Sequence, residues 1–435
     1  MPRGKVESHS GNAGAKERIS MKVVLVLFEQ TSGDAKHGFG FASSRLAQAL
    51  LDADLLGGVI ALQRDKNFDP GSVPVRVLSD DRIFHLAMAL ANRITSLFPS
   101  FAIRATHEKI FDRFACRQIK WMKGDLLFFF RPLFPRAVKL GKRLGLQTWI
   151  QASIPHPLVN FELVGGEESR LGVPRRGAYS DPKRAKRLAA TIGSSDRLLC
   201  MDREVGQYTY DTYARFLAQE KIIPVKHMVT IDPAEFASVA ESRKMTAAPS
   251  RGVRFLHVSH MNLIKGIPYL LDAWRLLKQE NGQEAAILTL VGQRDENLDK
   301  VIQRDYADLP GLQLTGWAPD LIACLGEADV FISPSISDNG PGTIVEAMAA
   351  GLPVISSLNC GCASLITPGK DGFTYPFADV ERLAELLQWF TKNQGAIARM
   401  GEQARAKISK SSADRYAGEL VSIIQSAGEE GTHGQ

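Results

Sequence analysis

Two carboxylates, Asp338 and Glu346, stand eight positions apart in the stretch SDNGPGTIVEAMAAGLPVISS, residues 337–357. A Gly/Pro-rich turn separates them, and a run of small apolar residues follows. Taken singly, Asp338 reads as a turn residue and Glu346 as a solvated helix residue. Placed on both sides of a turn that opens a helix, the pair can also grip one polar ligand. Gly342, Thr343 and Ile344 begin that helix, and a helix N-terminus attracts phosphate. The elements that hold these residues decide between the two readings.

The chain starts its apolar patterning at KVVLVLF (22–28), a short β-rich run. The Gly-rich EQTSGDAKHGFG and the helical FASSRLAQALLDADLL come next, which gives strand, loop and helix, the opening of an α/β unit. GGVIALQR, DLLFFFR and QTWIQAS read as further strands, AVKLGKRLG as a helix, and DRLLCMDREVGQYTYDTYARF as a strand leading into a helix. Residues 237–252 lose this periodicity and gain Ser, Ala and Pro, the composition of a linker. The pattern then restarts: VRFLHVS, AAILTLVG, LQLTGW, DVFISPS and LPVISS are strands alternating with helices such as GIPYLLDAWRLLKQE. Alternation on both sides of a linker predicts two doubly wound, Rossmann-like parallel-sheet domains, with ligands beyond the carboxyl ends of the strands. The expected division is an arm over 1–20, a domain over 21–236, the linker, a domain over 253–425 whose last helix is free to cross back to the first, and a tail over 426–435.

Composition sets outer bounds. At 435 residues, 45% hydrophobic and 23% charged, the chain has the profile of a globular protein large enough for two cores. No run of about eighteen uncharged apolar residues occurs, and residues 1–20 lack the apolar segment of a signal peptide. The five scattered cysteines have no metal-finger spacing and read as reduced thiols. A cytoplasmic enzyme, at most peripheral to a membrane, is therefore expected. The net charge of +6 is uneven: residues 82–143 hold thirteen Lys/Arg against Glu108, Asp112 and Asp125. Aromatics such as Phe111, Phe114, Trp121 and Phe128 interleave with the bases. A solvated helix face, a nucleic-acid surface and a patch for anionic lipid or an acidic acceptor are the three readings. No recognition motif supports nucleic acid, which is set aside.

The order of strand-end motifs in the second half carries a resemblance. LHVSHMNLIKG, LTLVGQRDENL, LTGWAPDLIACLGEADVFISPS, the opening stretch and TPGKDGFTYPFADVERLAELL follow one another over roughly residues 252–390. This resembles the carboxyl-terminal domain of the retaining glycosyltransferases of family 4, which have the GT-B fold. The likeness extends more weakly over 21–236, where VTIDPAEF stands near the family's Gly-Val-Asp-Pro-x-x-Phe-like segment. A nucleotide-sugar donor suits the residues: its diphosphate needs backbone N–H groups and a cation, and its ribose diol a carboxylate. Gly340 and Gly342 would permit close backbone approach, and Lys265 supplies positive charge beside the leaving diphosphate. Glu346 is placed to accept the ribose hydroxyls and Asp338 to reach the donor sugar. The resemblance further implies Gly292 and Trp317 near the nucleoside and His156, in TWIQASIPHPLVN, near the sugar. Two departures stand out: the first acid is Asp338 where the family has Glu, and His260 replaces a common Arg five residues before the Lys.

In the first half, Gly38 and Gly40 of HGFGF could let donor phosphate or acceptor approach. The pair Asp52 and Asp54 imitates a metal-binding aspartate motif, but it ends a helix instead of following a strand, so neither metal nor cofactor is expected. The expected activity is retaining, metal-independent transfer of a sugar from a UDP- or GDP-sugar to a saccharide or lipid-linked saccharide acceptor, in bacterial cell-surface polysaccharide synthesis. A sugar-nucleotide epimerase and a catalytically weak GT-B scaffold are the alternatives. A dinucleotide oxidoreductase is disfavoured because no G-x-G-x-x-G follows the first strand.

Overall fold

The computed structural model describes residues 21–28, 38–63, 68–95, 100–175, 177–226, 231–236, 238–239, 252–281, 286–409 and 413–432. Residues 1–20, the Gly-rich loop before Gly38 and nearly all of the 237–252 segment lie outside them.

The first sheet comprises β1 (Val23–Leu27), β2 (Leu56–Ala61), β3 (Val75–Val77), β4 (Leu126–Phe129), β5 (Gln147–Gln151), β6 (Arg197–Met201) and β7 (Ile222–Val225). Its helices are α1 (Gly38–Asp52), α2 (Arg82–Thr95), α3 (Ser100–Ile119), α4 (Pro135–Arg143), α5 (Pro157–Arg170), α6 (Pro182–Ser194) and α7 (Arg203–Ala214). The strand order is β3-β2-β1-β4-β5-β6-β7, with every pairing parallel. Helices cover both faces, so central strands such as Leu-Leu-Phe-Phe in β4 are buried throughout.

The second sheet comprises β8 (Arg254–Val258), β9 (Ile287–Val291), β10 (Leu312–Thr315), β11 (Val330–Ser333), β12 (Val354–Ser357) and β13 (Gly372–Tyr375). Around it lie α8 (Ile267–Asn281), α9 (Glu296–Asp305), α10 (Leu321–Glu327), α11 (Gly342–Ala349), α12 (Val380–Lys392) and α13 (Gln394–Ile408). Its order, β10-β9-β8-β11-β12-β13, is also parallel and reverses direction between β8 and β11. Such a reversal opens a crevice at the carboxyl ends of the two central strands. A last helix, α14 (Ala413–Thr432), packs on the first domain. Its Tyr416, Leu420 and Ile424 join the core formed by Leu46, Leu50 and Val23. Tyr416 Oη donates to Gln151 Oε1 at 2.9 Å.

Local chemistry fixes many of the helix starts. Pro stands at the first position of α4, α5 and α6, where its missing N–H costs nothing. Aspartates 181, 202, 295, 320 and 379 cap α6, α7, α9, α10 and α12 by accepting first-turn N–H groups. The aromatics of the basic segment prove to be core: Phe111, Phe114, Phe128, Phe129, Phe130 and Phe134 are buried, whereas Trp121 is exposed. Asp52 ends α1, and Asp54 accepts from Lys22 Nζ at 2.7 Å.

Candidate active site at the domain cleft

Lys265 and Asp338 lie across the reversal point of the second sheet. Lys265 ends a 3-10 turn after β8, and Asp338 lies in the loop after β11. Gly266, at φ 67°, makes that closeness possible: a Cβ there would sit 1.9 Å from Pro334 O. Lys265 Nζ donates directly to Asp338 Oδ2. Burial works against the ammonium charge, but the Asp338 carboxylate outweighs it and holds Lys265 above its ordinary pKa. The backbone of Asp338 is pinned as well, since its N donates to Asn359 O at 3.0 Å and its O accepts from Gly361 N at 2.9 Å.

Glu346 lies one turn into α11, only 5% exposed, and its Oε2 has no hydrogen-bond partner. Burial alone pushes its carboxyl up to about 7. A buried acceptor of this kind costs stability unless something donates to it. Pro341 caps α11 without a side-chain hydrogen bond, so the N-cap residue leaves the first-turn N–H groups at Gly342 and Thr343 uncapped. Cation, helix N-terminus and unsatisfied carboxylate are thus brought together on the carboxyl side of β8 and β11.

Other expected residues fall differently. Gly292, at φ 130°, donates its N–H to Thr315 O and Gly316 O, and a Cβ would sit 1.9 Å from Ser259 O. It joins the β8, β9 and β10 ends. Trp317, two residues past β10, is 70% exposed and offers an open indole face. His260 is exposed beside the Asp295 cap of α9, whose carboxyl is raised by burial against the opposing Leu298 N–H and the neighbouring His260. Gly340 departs from expectation: a Cβ there would meet Cys362 Sγ at 3.0 Å and Met201 Cε at 3.4 Å. Its missing side chain makes room for protein, not ligand. Gly38 and Gly40 belong to the first turn of α1 and not to a loop.

His156 departs furthest. It is buried, its ring stacks on Phe216 at 4.0 Å between centroids, and Nδ1 accepts from Leu158 N to cap α5. Burial lowers it to about 4, so it is a neutral capping group with its ring occupied by protein. His257, which sequence reading did not single out, is also structural, bonded to Ile332 O and Ser259 Oγ.

A clasp between the domains was not legible in the sequence. Ser337 Oγ donates to Asn160 Oδ1 on α5 and accepts from Tyr208 Oη at 2.7 Å. Asn339 Nδ2 donates to Ala152 O at 3.0 Å, and Thr209 Oγ1 donates to Asn339 O at 3.2 Å. The neighbours of Asp338 on both sides therefore reach the first domain. Single Ser, Asn and Tyr residues carry no spacing signal that could announce such contacts.

Two facing parallel-sheet domains with the candidate site at their junction define the GT-B architecture. Residues 238–407, most of the second domain, match the family model described as glycosyl transferases group 1. The chain is 29% identical over 187 residues to the amylovoran biosynthesis glycosyltransferase AmsK of Erwinia amylovora, an alignment covering 41% of this chain and 44% of AmsK. It is 28% identical over 142 residues to the UDP-Gal:alpha-D-GlcNAc-diphosphoundecaprenol alpha-1,3-galactosyltransferase of Escherichia coli, covering 32% and 36% respectively. The chain thus spans about half the length, or less, of these curated relatives. Among solved structures, Anabaena HepE with UDP and glucose superposes with a TM-score of 0.58 at 15% identity, over 93% of this chain and 100% of that one. The glycosyltransferase WaaG of lipopolysaccharide biosynthesis superposes with a TM-score of 0.61 at 15% identity, over 92% and 99%. At that identity the structural likeness establishes the fold.

Proposed function

We propose that this chain is a retaining glycosyltransferase that moves a sugar from a nucleoside-diphosphate sugar to a saccharide or lipid-linked saccharide of the bacterial cell surface. The observation that carries the reading is Glu346: a buried carboxyl with an unpartnered oxygen, one turn inside a helix whose N-cap, Pro341, makes no side-chain bond. A ribose diol donates two hydroxyls to such a group while the diphosphate reaches the first-turn N–H groups and Lys265. The relative of this chain named for a UDP-Gal donor and a diphosphoundecaprenol acceptor supports the same substrate classes.

In this reading the bond from sugar C1 to the leaving phosphate oxygen breaks as the bond from C1 to the acceptor oxygen forms on the same face. The acceptor proton passes to the leaving phosphate. Lys265 and the α11 N-terminus stabilise the charge that develops there, and the protein supplies position and electrostatics without a nucleophile of its own. Asp338 addresses the transferred sugar, and Trp317 offers a face to the base. The test is incubation with UDP- and GDP-sugars, with and without short saccharide acceptors, followed by NMR of the anomeric centre. Nucleotide release with retained configuration is expected. Isomerised sugar without nucleotide release would identify an epimerase instead, and no turnover of any donor would leave a non-catalytic scaffold.

A further inference from the structure

We propose that α2 docks the first domain onto an anionic lipid surface, a property separate from the transfer reaction. The helix has two apolar faces. Phe84 and Ala91 are buried toward α3, where Phe84 meets Phe114 edge-on at 5.2 Å. Ile83, Leu86, Leu90 and Ile94 recur at intervals of three and four and are 62%, 70%, 60% and 51% exposed. At about 100° per residue these four form one stripe, turned roughly a right angle from the buried face. Scattered exposed leucines are ordinary, but four aligned over three turns mark an interaction surface.

Charge selects the occupant. Arg82 and Arg93 border the stripe, and Arg113, Arg117, Lys120 and Lys123 are exposed on or just past α3. The acids around it offset them only in part: Asp125 is exposed and accepts from Lys22 N at 2.8 Å, and Asp80 is exposed beside Arg82, but the others are withdrawn. Glu108 is fully buried, with Arg184 Nη2 at 2.7 Å and Arg187 also bonded to it. Asp112 is buried and accepts from Arg136 N and Ala137 N, both at 3.0 Å, to start α4. Asp81 is spent capping α2 through Ile83 N at 2.8 Å. Trp121, 78% exposed, shares a groove with Arg76, Arg82, Asp80 and the helix-capping Asp81 and supplies the amphipathic ring that lipid interfaces favour. Among the described residues no helix is long and apolar enough to cross a membrane, so the contact is with the surface. An apolar stripe bordered by cations inserts among acyl chains while the bases meet anionic headgroups.

The experiment is co-sedimentation of the full chain with vesicles of phosphatidylcholine alone or mixed with phosphatidylglycerol. Binding to the mixed vesicles, reversed by salt, is expected. Leu86→Ser/Leu90→Ser should lower the partition coefficient by about tenfold or more, and Arg82→Gln/Arg93→Gln should weaken binding and flatten its salt dependence. Thermal melts of the variants check folding; should the leucine pair unfold, Ile94→Ser alone gives the same test. Brominated lipid should also quench fluorescence that Trp121→Phe removes. Equal binding to both vesicle types, or binding unaffected by the stripe variants, overturns the proposal. So does a concentration-dependent dimer, lost in the leucine variant, in a protein that ignores vesicles.

Discussion

Lys265 and Asp338 form an ion pair across the reversal point of the second sheet, cation from the end of β8 and acid from the end of β11. The site that would receive a diphosphate therefore already holds an anion in contact with its cation. Any phosphate reaching Lys265 must share it with Asp338 or displace it.

Asp338→Asn should consequently leave free nucleoside diphosphate binding intact or tighten it by up to about 1 kcal/mol, because the competing charge is gone. Turnover of the donor sugar should fall, since the contact to the transferred group is lost. Titration calorimetry beside steady-state kinetics separates the effects. A large loss of nucleotide affinity would mean that Asp338 contacts the nucleotide itself.

Glu346 makes stability and function oppose each other. Its folded-state carboxyl is raised to about 7 from an ordinary 4.5, so the folded protein favours the protonated form. Stability from this group is fully present below the unfolded value and is lost as pH rises through the folded one. Glu346→Gln should therefore stabilise the unliganded protein by roughly 1–3 kcal/mol at pH 8, and much less at pH 5. Melting curves at the two pH values, without nucleotide, check this; an equal shift at both would show that the carboxyl is not perturbed.

His260 stands where the resembling family commonly has Arg. His260→Arg should strengthen nucleoside diphosphate binding by about 1 kcal/mol, since a guanidinium fork makes charge-assisted, bidentate bonds to phosphate. Calorimetry at pH 6 and pH 8 is the measurement. Unchanged affinity at both would place His260 away from the phosphate, beside Asp295 only.

Donor turnover should persist in the presence of a chelator, because Lys265 and the α11 N–H groups already offer positive potential to the diphosphate. Loss of turnover with EDTA and its return with Mg²⁺ or Mn²⁺ would put a metal ion in their place.

The apolar strands and both Rossmann-like units were legible because buried parallel strands read as continuous apolar runs, as in VVLVL and LLFF. Strands β3, β7 and β13 were not: Val-Arg-Val, Ile-Ile-Pro-Val and Gly-Phe-Thr-Tyr break the apolar run with Arg, Pro or Gly and Thr. Lys265, Asp338 and Glu346 were legible as a group through their order after successive strand ends. Their pairing was not, because no spacing announces that two loops converge at Gly266. His156 misled for a definite reason. Two flanking prolines mark a stiff loop equally well for a ligand contact and for a helix cap, and only the stacked Phe216 ring distinguishes them.

The most direct test of the whole account is whether Glu346 receives the ribose diol. Calorimetric titration of UDP and GDP, each with its 2′,3′-dideoxy counterpart, against the native protein and Glu346→Gln forms a double-mutant cycle. The native protein should lose roughly 1.5–3 kcal/mol on removal of the diol, and Glu346→Gln should show little further loss. Additive losses, or full affinity for the natural nucleotides in Glu346→Gln, would contradict the placement of the nucleotide over α11 and with it the proposed reaction.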